Sequence, residues 1–467
     1  MKKPTPSVVS RRRFLAAGGS LFLASRLATF SFADVADDEI LSQDPASLEP
    51  LRQKAIEAGL KYLKERGQAK DGGFSTFAGT GPTSLAAAAM LRCGLSADDP
   101  AVAKSLDYLK KNVHDDGGIY GKGWFLNYET CAAIEAFSLA NKDGRYKDLL
   151  AKADKFIRKN QWDEARKKEP DDLFYGGEGY GGESRPDLSN TAYMLDALKE
   201  CGAGKDDPAF KKAMVFVSRC QNHESTHNTT KFAPLNPDGG FYYTPCEGGG
   251  GQSKGDGGGK PGPGKDGRGG PGGPSGRGGP GRPGGPSGRG GPGGPNGQGG
   301  QGGQGGPGRT MGGLGRGGQR DGRGGGGGGD QNRTLPNGGL RSYGSMSYAG
   351  LKSMIYCGLD ESDPRMKAVV DWVQKHYSVK ENPGMDAAGL FYYYHMFAKS
   401  LDAFGRAEIT SADGKKHDWR ADLITELARR QGKDGSWKNQ DSRWMEGDPN
   451  LCTAFALLAL SYCKRPK

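Results

Sequence analysis

The chain has 467 residues and a formal net charge of +11. The basic excess lies in two segments: residues 1–33 carry six basic and no acidic side chains, and residues 244–339 carry twelve basic and five acidic ones. All other residues together are left with a formal charge of −2, so the charge does not indicate a nucleic-acid-binding fold, and we predict no specific nucleic-acid partner.

The N-terminus is typical of a twin-arginine export signal. Ser10-Arg11-Arg12-Arg13-Phe14-Leu15 precedes an apolar stretch that ends in the small-residue cleavage pattern Ser31-Phe32-Ala33. Arg26 interrupts the apolar stretch, which disfavours a permanent membrane span. We therefore predict that residues 1–33 direct the protein through the twin-arginine machinery to the periplasm or cell envelope.

The remainder is built from a repeated unit of two helices. The first helix of each unit is apolar on one face only, which is typical of a helix that covers a core. We predict six such helices, at Leu51–Glu65, Ala101–Asn112, Leu149–Asn160, Phe210–Cys220, Met366–His376 and Leu423–Arg430. A turn such as Asp71-Gly72-Gly73-Phe74 follows, and the chain then enters a second helix that is apolar nearly all round.

A constant spacing marks the second helices. A Thr, Ser or Tyr precedes each apolar run, and we call these ruler positions: Thr83, Thr130, Thr191, Ser347, Tyr394 and Thr453. Exactly eleven residues after them stand Gly94, Asn141, Gly202, Gly358, Gly405 and Lys464. Six pairs with buried second helices predict an all-α fold, a closed (α/α)6 toroid with the second helices as its inner ring. An open solenoid is the alternative.

Residues 244–339 are almost entirely Gly, Pro, Arg, Gln, Asn and Ser, and interrupt the fourth repeat. Such a composition cannot bury enough apolar surface to fold, so we predict a disordered insertion. The toroid then comprises residues 34–243, with repeats one to four in part, and residues 340–467. The Arg-Gly-Gly units of the insertion indicate contact with an acidic polymer or the envelope, although a flexible loop without ligand is the alternative.

Two motifs resemble known families. Gln431-Gly-Lys-Asp434-Gly-Ser-Trp437 resembles the QW repeat of squalene and hopene cyclases, and Gln68-Ala-Lys-Asp71-Gly-Gly-Phe74 has the same spacing. The Gly-Gly-Phe turns are similar to those of protein prenyltransferase β subunits. The segments beginning at Tyr343 and Gly389 resemble bacterial prenyltransferase/squalene oxidase repeat proteins. The resemblance implies the superfamily of terpenoid cyclases and protein prenyltransferases, with its α/α toroid.

The sequence departs from both parent chemistries. It lacks the Asp-x-Asp-Asp string with which such cyclases protonate their substrate, and the Asp-x-Cys string of the prenyltransferase zinc site. No Cys/His cluster has metal-ligand spacing, so we predict neither a metal nor another cofactor. Whether the protein is an enzyme stays open at this point.

Candidate site residues lie between the glycine turns and the ruler positions. The predicted ligand-binding residues are Trp124, Tyr128, Glu129, Tyr180, Tyr193, Tyr343, Tyr348, Tyr392, Tyr393, Tyr394 and Trp444. The predicted catalytic residues are Asp386, Glu446 and Asp448 as acids or bases, and His395 as a base or proton shuttle. Alternatively, the aromatic residues fill a wide gap between helices, Asp448 caps a helix and His395 is a core histidine.

Three functions fit this pattern. Aromatic faces stabilise carbocations and also stack on sugars, so the central site suits a hydrophobic, polyisoprenoid-like ligand or a glycan. The first function is an exported toroid that binds such an isoprenoid, with catalysis unproven. The second is a carbohydrate-active enzyme of the polysaccharide lyase or glycosidase type, and the third is a non-catalytic envelope scaffold.

Overall fold

The computed structural model describes residues 45–121, 125–246 and 334–464. The predicted export signal, Trp124 and residues 247–333 of the predicted insertion lie outside the described residues. At the edges of the insertion the described residues pack on the body. Thr244 donates to the backbone oxygen of Pro186, and Thr334 pairs with Leu340 in a short β-bridge.

The described residues form twelve α-helices. These are α1 (Pro45–Tyr62), α2 (Gly81–Arg92), α3 (Pro100–Lys110), α4 (Leu126–Ala140), α5 (Lys147–Asn160), α6 (Leu188–Glu200), α7 (Pro208–Arg219), α8 (Gly344–Tyr356), α9 (Pro364–Lys375), α10 (Leu390–Phe404), α11 (Trp419–Arg430) and α12 (Pro449–Tyr462). A two-stranded antiparallel hairpin, β1 (Glu408–Thr410) with β2 (Lys416–Asp418), precedes α11. The prediction of an all-helical fold is confirmed, with this hairpin as a small addition.

The even-numbered helices lie innermost and are buried along nearly their whole length. Each packs against the next even-numbered helix, and α12 packs against α2. The odd-numbered helices cover them with one apolar face, and α1 also packs against α11. This division follows from the sequence, because a helix that is apolar all round must be enclosed by others.

The turn glycines are fixed by contact with the following odd-numbered helix. Gly72 has a φ of +93°, and a Cβ there would collide with the backbone oxygen of Lys104 in α3. The same collision would occur at the equivalent glycines of four other repeats: Gly117, Gly176, Gly239 and Gly435. A side chain at these positions would therefore break the packing between neighbouring repeats.

The ruler positions have a shared hydrogen bond. The backbone N–H just after the turn donates to the ruler hydroxyl, at 2.9 Å from Phe74 to Thr83 and at 3.0 Å from Trp437 to Thr453. Repeats two, three and four repeat this bond. In repeat five the Tyr394 hydroxyl instead donates to the backbone oxygen of Val379 at 2.8 Å. The ruler hydroxyl thus joins the turn to its inner helix in five of the six repeats.

A glutamine in four repeats joins its own turn to the next odd-numbered helix. Gln431 Nε2 donates to the backbone oxygens of Gly435 and Ala55, both at 2.9 Å, and thereby ties the last turn to α1. We expect Gln431→Ala to lower the free energy of unfolding by about 1–3 kcal/mol, because both carbonyls lose their donor. Urea unfolding measures this. Exposed Gln53→Ala is the control, and an equal effect of the two substitutions would contradict the expectation.

Two further features concern the whole described part. None of its helices has both the length and the apolar character needed to cross a bilayer. No disulfide joins any of the eight cysteines, all of which lie among the described residues.

Candidate functional site

Six tyrosines gather at the N-terminal ends of the inner helices, and we call them the tyrosine cluster. They are Tyr128, Tyr180, Tyr193, Tyr243, Tyr343 and Tyr392. All except Tyr243 are among the residues predicted from the sequence. The structure therefore brings together five predicted ligand-binding residues that come from repeats two to five.

Ring contacts and hydroxyl bonds join the cluster. The Tyr193 ring lies 5.0 Å from the Tyr128 ring and 6.3 Å from the Tyr392 ring, measured between centroids. The Tyr392 hydroxyl is 2.8 Å from Ser189 Oγ, and the hydroxyls of Tyr243 and Tyr180 are 3.4 Å apart. The side chains thus form one continuous wall across helices α4, α6 and α10.

Three side chains of this wall are partly accessible, and we call the space that they face the recess. Tyr128, Tyr180 and Tyr392 are densely surrounded by protein, yet each keeps part of its surface accessible. This combination is typical of side chains that line a concave surface. Aromatic faces around a concave surface provide apolar contact area and can stabilise positive charge.

Asp187 stands behind the tyrosines as the N-cap of α6. Its carboxylate accepts hydrogen bonds from the backbone N–H of Asn190 at 2.8 Å and from the Asn190 side chain at 2.6 Å. Burial raises the pKa of Asp187 to about 7, although these hydrogen bonds act in the opposite direction. At neutral pH the carboxyl therefore holds a proton part of the time, as a general acid requires.

Glu446 is buried and holds the start of α10. It accepts hydrogen bonds from the backbone N–H groups of Phe391 at 3.1 Å and Tyr392 at 2.8 Å, and from Asn439 Nδ2 at 2.7 Å. The carboxylate thus supplies the cap that Gly389, which precedes α10, cannot provide. Burial raises the pKa of Glu446 to about 7. Its main effect on the site is to fix the position of Tyr392.

The other predicted catalytic side chains do not join Glu446. Asp448 caps α12 and accepts a hydrogen bond of 2.7 Å from Ser75 Oγ. Asp386 lies exposed in a turn, with a left-handed φ of +53°. Among the described residues no hydrogen bond connects the side chains of these three carboxylates with one another or with His395, so the structure does not assemble the predicted catalytic group.

His395 is fully buried deeper along α10. Its ring lies 5.8 Å from that of Phe455 and 6.3 Å from that of Tyr462. Burial, assisted by the charge of Lys399, lowers the pKa of His395 to about 3. The imidazole is therefore neutral at physiological pH and is a poor proton donor.

A layer of buried charges was not predicted from the sequence, and we call it the ion-pair layer: Glu135, Asp196, Lys352 and Lys399. Lys399 Nζ lies 3.1 Å from Asp196 Oδ2 and 3.5 Å from Glu135 Oε2, and Lys352 pairs with Asp196. Arg92 adds a contact of 2.9 Å to Glu135. The layer links α2, α4, α6, α8 and α10 beneath the tyrosine cluster.

The electrostatics of the layer favour paired charges. Burial alone would raise the pKa of Glu135, but the nearby Lys399 and Arg92 outweigh it and lower that pKa. Burial lowers the pKa of Lys352 to about 8, against the attraction of Asp196. The sequence did contain a signal for this layer, because each of its four members stands five residues after a ruler position within an otherwise apolar helix.

Three predicted ligand-binding residues occupy other places. The Tyr393 hydroxyl donates to the backbone oxygen of Ser378 at 2.6 Å, and the Tyr394 hydroxyl bonds to Val379. The Tyr348 ring packs against those of Tyr393 and Phe397, at 5.7 and 4.9 Å. These side chains fill the core between α8, α10 and the segment that follows α9, so we remove them from the recess.

Glu129 and Trp444 also differ from expectation. Glu129 is buried and accepts hydrogen bonds from Thr80 Oγ1 at 2.9 Å and from the backbone N–H of Gly121 at 2.6 Å, so it joins two turns. Trp444 is 38% exposed on a strained loop with a φ of +51° and lies against Gly389. The first residue is structural, and the second lies on the surface near the start of α10.

A comparison with known protein families shows which family part of this chain resembles. Residues 83–243, about a third of the chain, match the squalene-hopene cyclase C-terminal domain. Over these residues the chain is similar to the terpenoid cyclase and prenyltransferase-like superfamily. The resemblance inferred from the glutamine-containing turns is therefore confirmed. A search of curated proteins found no match.

The matched segment of this terpenoid cyclase-like chain carries four of the six clustered tyrosines together with Asp187. The chain has no Asp-x-Asp-Asp string, and the buried carboxyl of Asp187 lies beside the tyrosine cluster. Within the described ranges, no three His, Cys, Asp or Glu side chains are grouped so that they could hold a metal ion.

Proposed function

We propose that the body is a closed (α/α)6 toroid of six helix pairs, interrupted in repeat four by the glycine-rich insertion. Two contacts support closure: α12 packs against α2, and Gln431 binds Ala55 of α1. In an open solenoid the first and last repeats would not touch.

We propose that this toroid binds a hydrophobic, polyisoprenoid-like ligand in the recess lined by the tyrosine cluster. The observation that carries the proposal is the partial accessibility of Tyr128, Tyr180 and Tyr392 within dense protein. The aromatic faces would contact the apolar chain of the ligand and stabilise positive charge that develops on it. Asp187 would act as the general acid, which makes proton-initiated chemistry the favoured activity.

We further propose that the protein works outside the cytoplasm. The twin-arginine motif at Arg11 and Arg12 supports export to the periplasm or envelope. There the arginine-rich insertion, residues 244–339, would contact an acidic polymer or the envelope surface.

A second candidate is a non-catalytic binding protein. The ion-pair layer favours it, because Lys399 contacts Glu135 and Asp196 and so joins α10 to α4 and α6 beneath the recess. A ligand could then occupy only the end of the ring that carries the tyrosines. Such a shallow site suits a carrier or scaffold as well as an enzyme.

Removal of recess aromatics tests the ligand site. We expect Tyr128→Ala with Tyr392→Ala to abolish retention of a co-purifying isoprenoid, because the wall loses its apolar contacts. Native mass spectrometry of protein purified from its own envelope measures the retained mass. Tyr394→Phe is the matched control, since its hydroxyl binds Val379 away from the recess.

The outcomes separate the candidate functions. Loss of the ligand in the double variant but not in Tyr394→Phe supports the recess. Equal retention in all three proteins would show that the ligand binds elsewhere. A retained sugar in place of an isoprenoid would favour the carbohydrate-active alternative.

A further inference from the structure

One position in repeat three breaks the pattern of the repeats. The residue that follows the turn is apolar and fully buried in four repeats: Phe74, Ile119, Phe241 and Trp437. Repeat three has Glu178 at this position, and it is also fully buried. A carboxyl group therefore occupies a place where the fold otherwise puts an apolar side chain.

Among the described residues, the hydrogen bonds of this turn involve the backbone of Glu178 and not its carboxyl group. The backbone N–H of Glu178 donates to the ruler hydroxyl of Thr191 at 3.0 Å, as in repeats one, two, four and six. Neither carboxyl oxygen has a hydrogen-bond partner among the described residues. Burying a polar group in this way is costly, and such local exceptions concentrate at functional sites.

The nearest acidic neighbour is Asp187. The two residues are partners in an antiparallel β-bridge, and the Asp187 N–H donates to the Glu178 backbone oxygen at 3.1 Å. Side chains of directly paired residues project to the same side, with Cβ atoms about 5 Å apart. Burial raises the pKa of Glu178 well above its usual value, the charge of Asp187 raises it further, and Arg166 opposes both.

We propose that Glu178 is a positioning residue for Asp187, and that the two carboxyls form one acid pair behind the tyrosine recess. The inference rests on the proposed function, in which Asp187 serves as the acid. Two neighbouring buried carboxyls do not ionise together, so the pair keeps at least one proton over a wider pH range than Asp187 alone could. Glu178 thus extends the pH range in which a proton is available at the recess.

Other groups set the charge environment of the pair. Asp187 faces the Cys220 thiol and the hydroxyls of four tyrosines around the recess: Tyr180, Tyr243, Tyr343 and Tyr392. Glu178 faces the Arg166 guanidinium and the Cys131 thiol of α4. Arg166 is the one permanent charge among these groups, and its carboxylate partner Glu183 lies 2.7 Å away.

The test compares Glu178→Gln and Glu178→Ile with the unchanged full-length protein. The probe is squalene, and the readout is deuterium incorporated from D₂O as a function of pH. We expect both variants to retain squalene, but the high-pH limb of the profile should move down by one pH unit or more. A purely structural residue would change stability without moving this limb, so an unchanged profile in both variants would overturn the proposal.

A second measurement keeps the proposal independent of turnover. Infrared difference spectroscopy follows protonated carboxyl groups during a pH titration. In Asp187→Asn the titration of Glu178 should shift to lower pH, because a like charge has been removed. An unshifted titration would refute the pair. A shifted titration in a protein that neither binds nor labels squalene would refute the proposed function and leave the pair standing.

Discussion

Lys399→Met should lower the free energy of unfolding by about 3–5 kcal/mol. Lys399 is 4% exposed and lies between two carboxylates that are almost as deeply buried, Glu135 and Asp196. Without the lysine, Asp196 keeps Lys352, but Glu135 must share Arg92 with Glu200, so three carboxylates are left with two cations in a medium of low polarity. Urea unfolding at pH 7 measures the loss.

A surface pair provides the matched control. Lys367 and Asp371 lie 2.6 Å apart on α9, with their side chains 69% and 57% exposed. Lys367→Met should cost less than about 1 kcal/mol, because water already screens this pair. If the two lysine substitutions cost the same, the ion-pair layer would not be a buried network.

Simultaneous replacement of all four charges separates pairing from packing. Glu135→Leu, Asp196→Leu, Lys352→Met and Lys399→Met together should recover most of the stability that the single substitution loses, because no charge is left unpaired. A quadruple variant as unstable as Lys399→Met would indicate that shape, rather than charge, determines the role of these positions.

The sequence predicted the helices well because their apolar patterns are strong. The helix predicted at Leu149–Asn160 is Lys147–Asn160 in the structure, and that at Leu423–Arg430 is Trp419–Arg430. The ruler positions were also informative, and the bond from Phe74 to Thr83 explains why a hydroxyl residue stands there. The toroidal closure is still a prediction, which the contacts between first and last repeats support.

The choice of tyrosines in repeat five was less successful. Three consecutive tyrosines point in directions about 100° apart on a helix, and their identity alone does not show which faces the recess. The polar residues of the same helix could have shown which tyrosine faces inward. Tyr392, His395 and Lys399 are spaced by three and four residues and therefore share one face. Tyr393 and Tyr394 lie off that face and bond to the segment after α9.

The predicted acids show a related ambiguity. Asp and Glu before a helix suit both a catalytic role and a cap, and the sequence does not distinguish the two. Asp448 and Glu446 both satisfy N–H groups at helix starts, of α12 and α10. Glu178 escaped notice because it does not look unusual until the repeats are aligned on the residue after the turn.

Glu178→Ile should stabilise the protein at neutral pH by about 3–4 kcal/mol. The pKa of Glu178 lies well above its unfolded value of about 4.5, so the folded state holds a proton that the unfolded state releases. Stability is therefore lost as pH rises from the unfolded pKa towards the folded one. Isoleucine, which Ile119 provides at this position in repeat two, should remove that loss.

The pH dependence distinguishes this mechanism from better packing. The advantage of Glu178→Ile should be small below pH 4.5 and should grow by about 1.4 kcal/mol per pH unit above it, as urea unfolding at several pH values would show. Ile119→Val, at the same position of repeat two, is the control and should cost about 0.5–1.5 kcal/mol at every pH. A pH-independent gain would mean that isoleucine only packs better. A gain that follows pH, together with a narrowed range of squalene labelling, would show that the protein retains a destabilising carboxyl because its chemistry uses it.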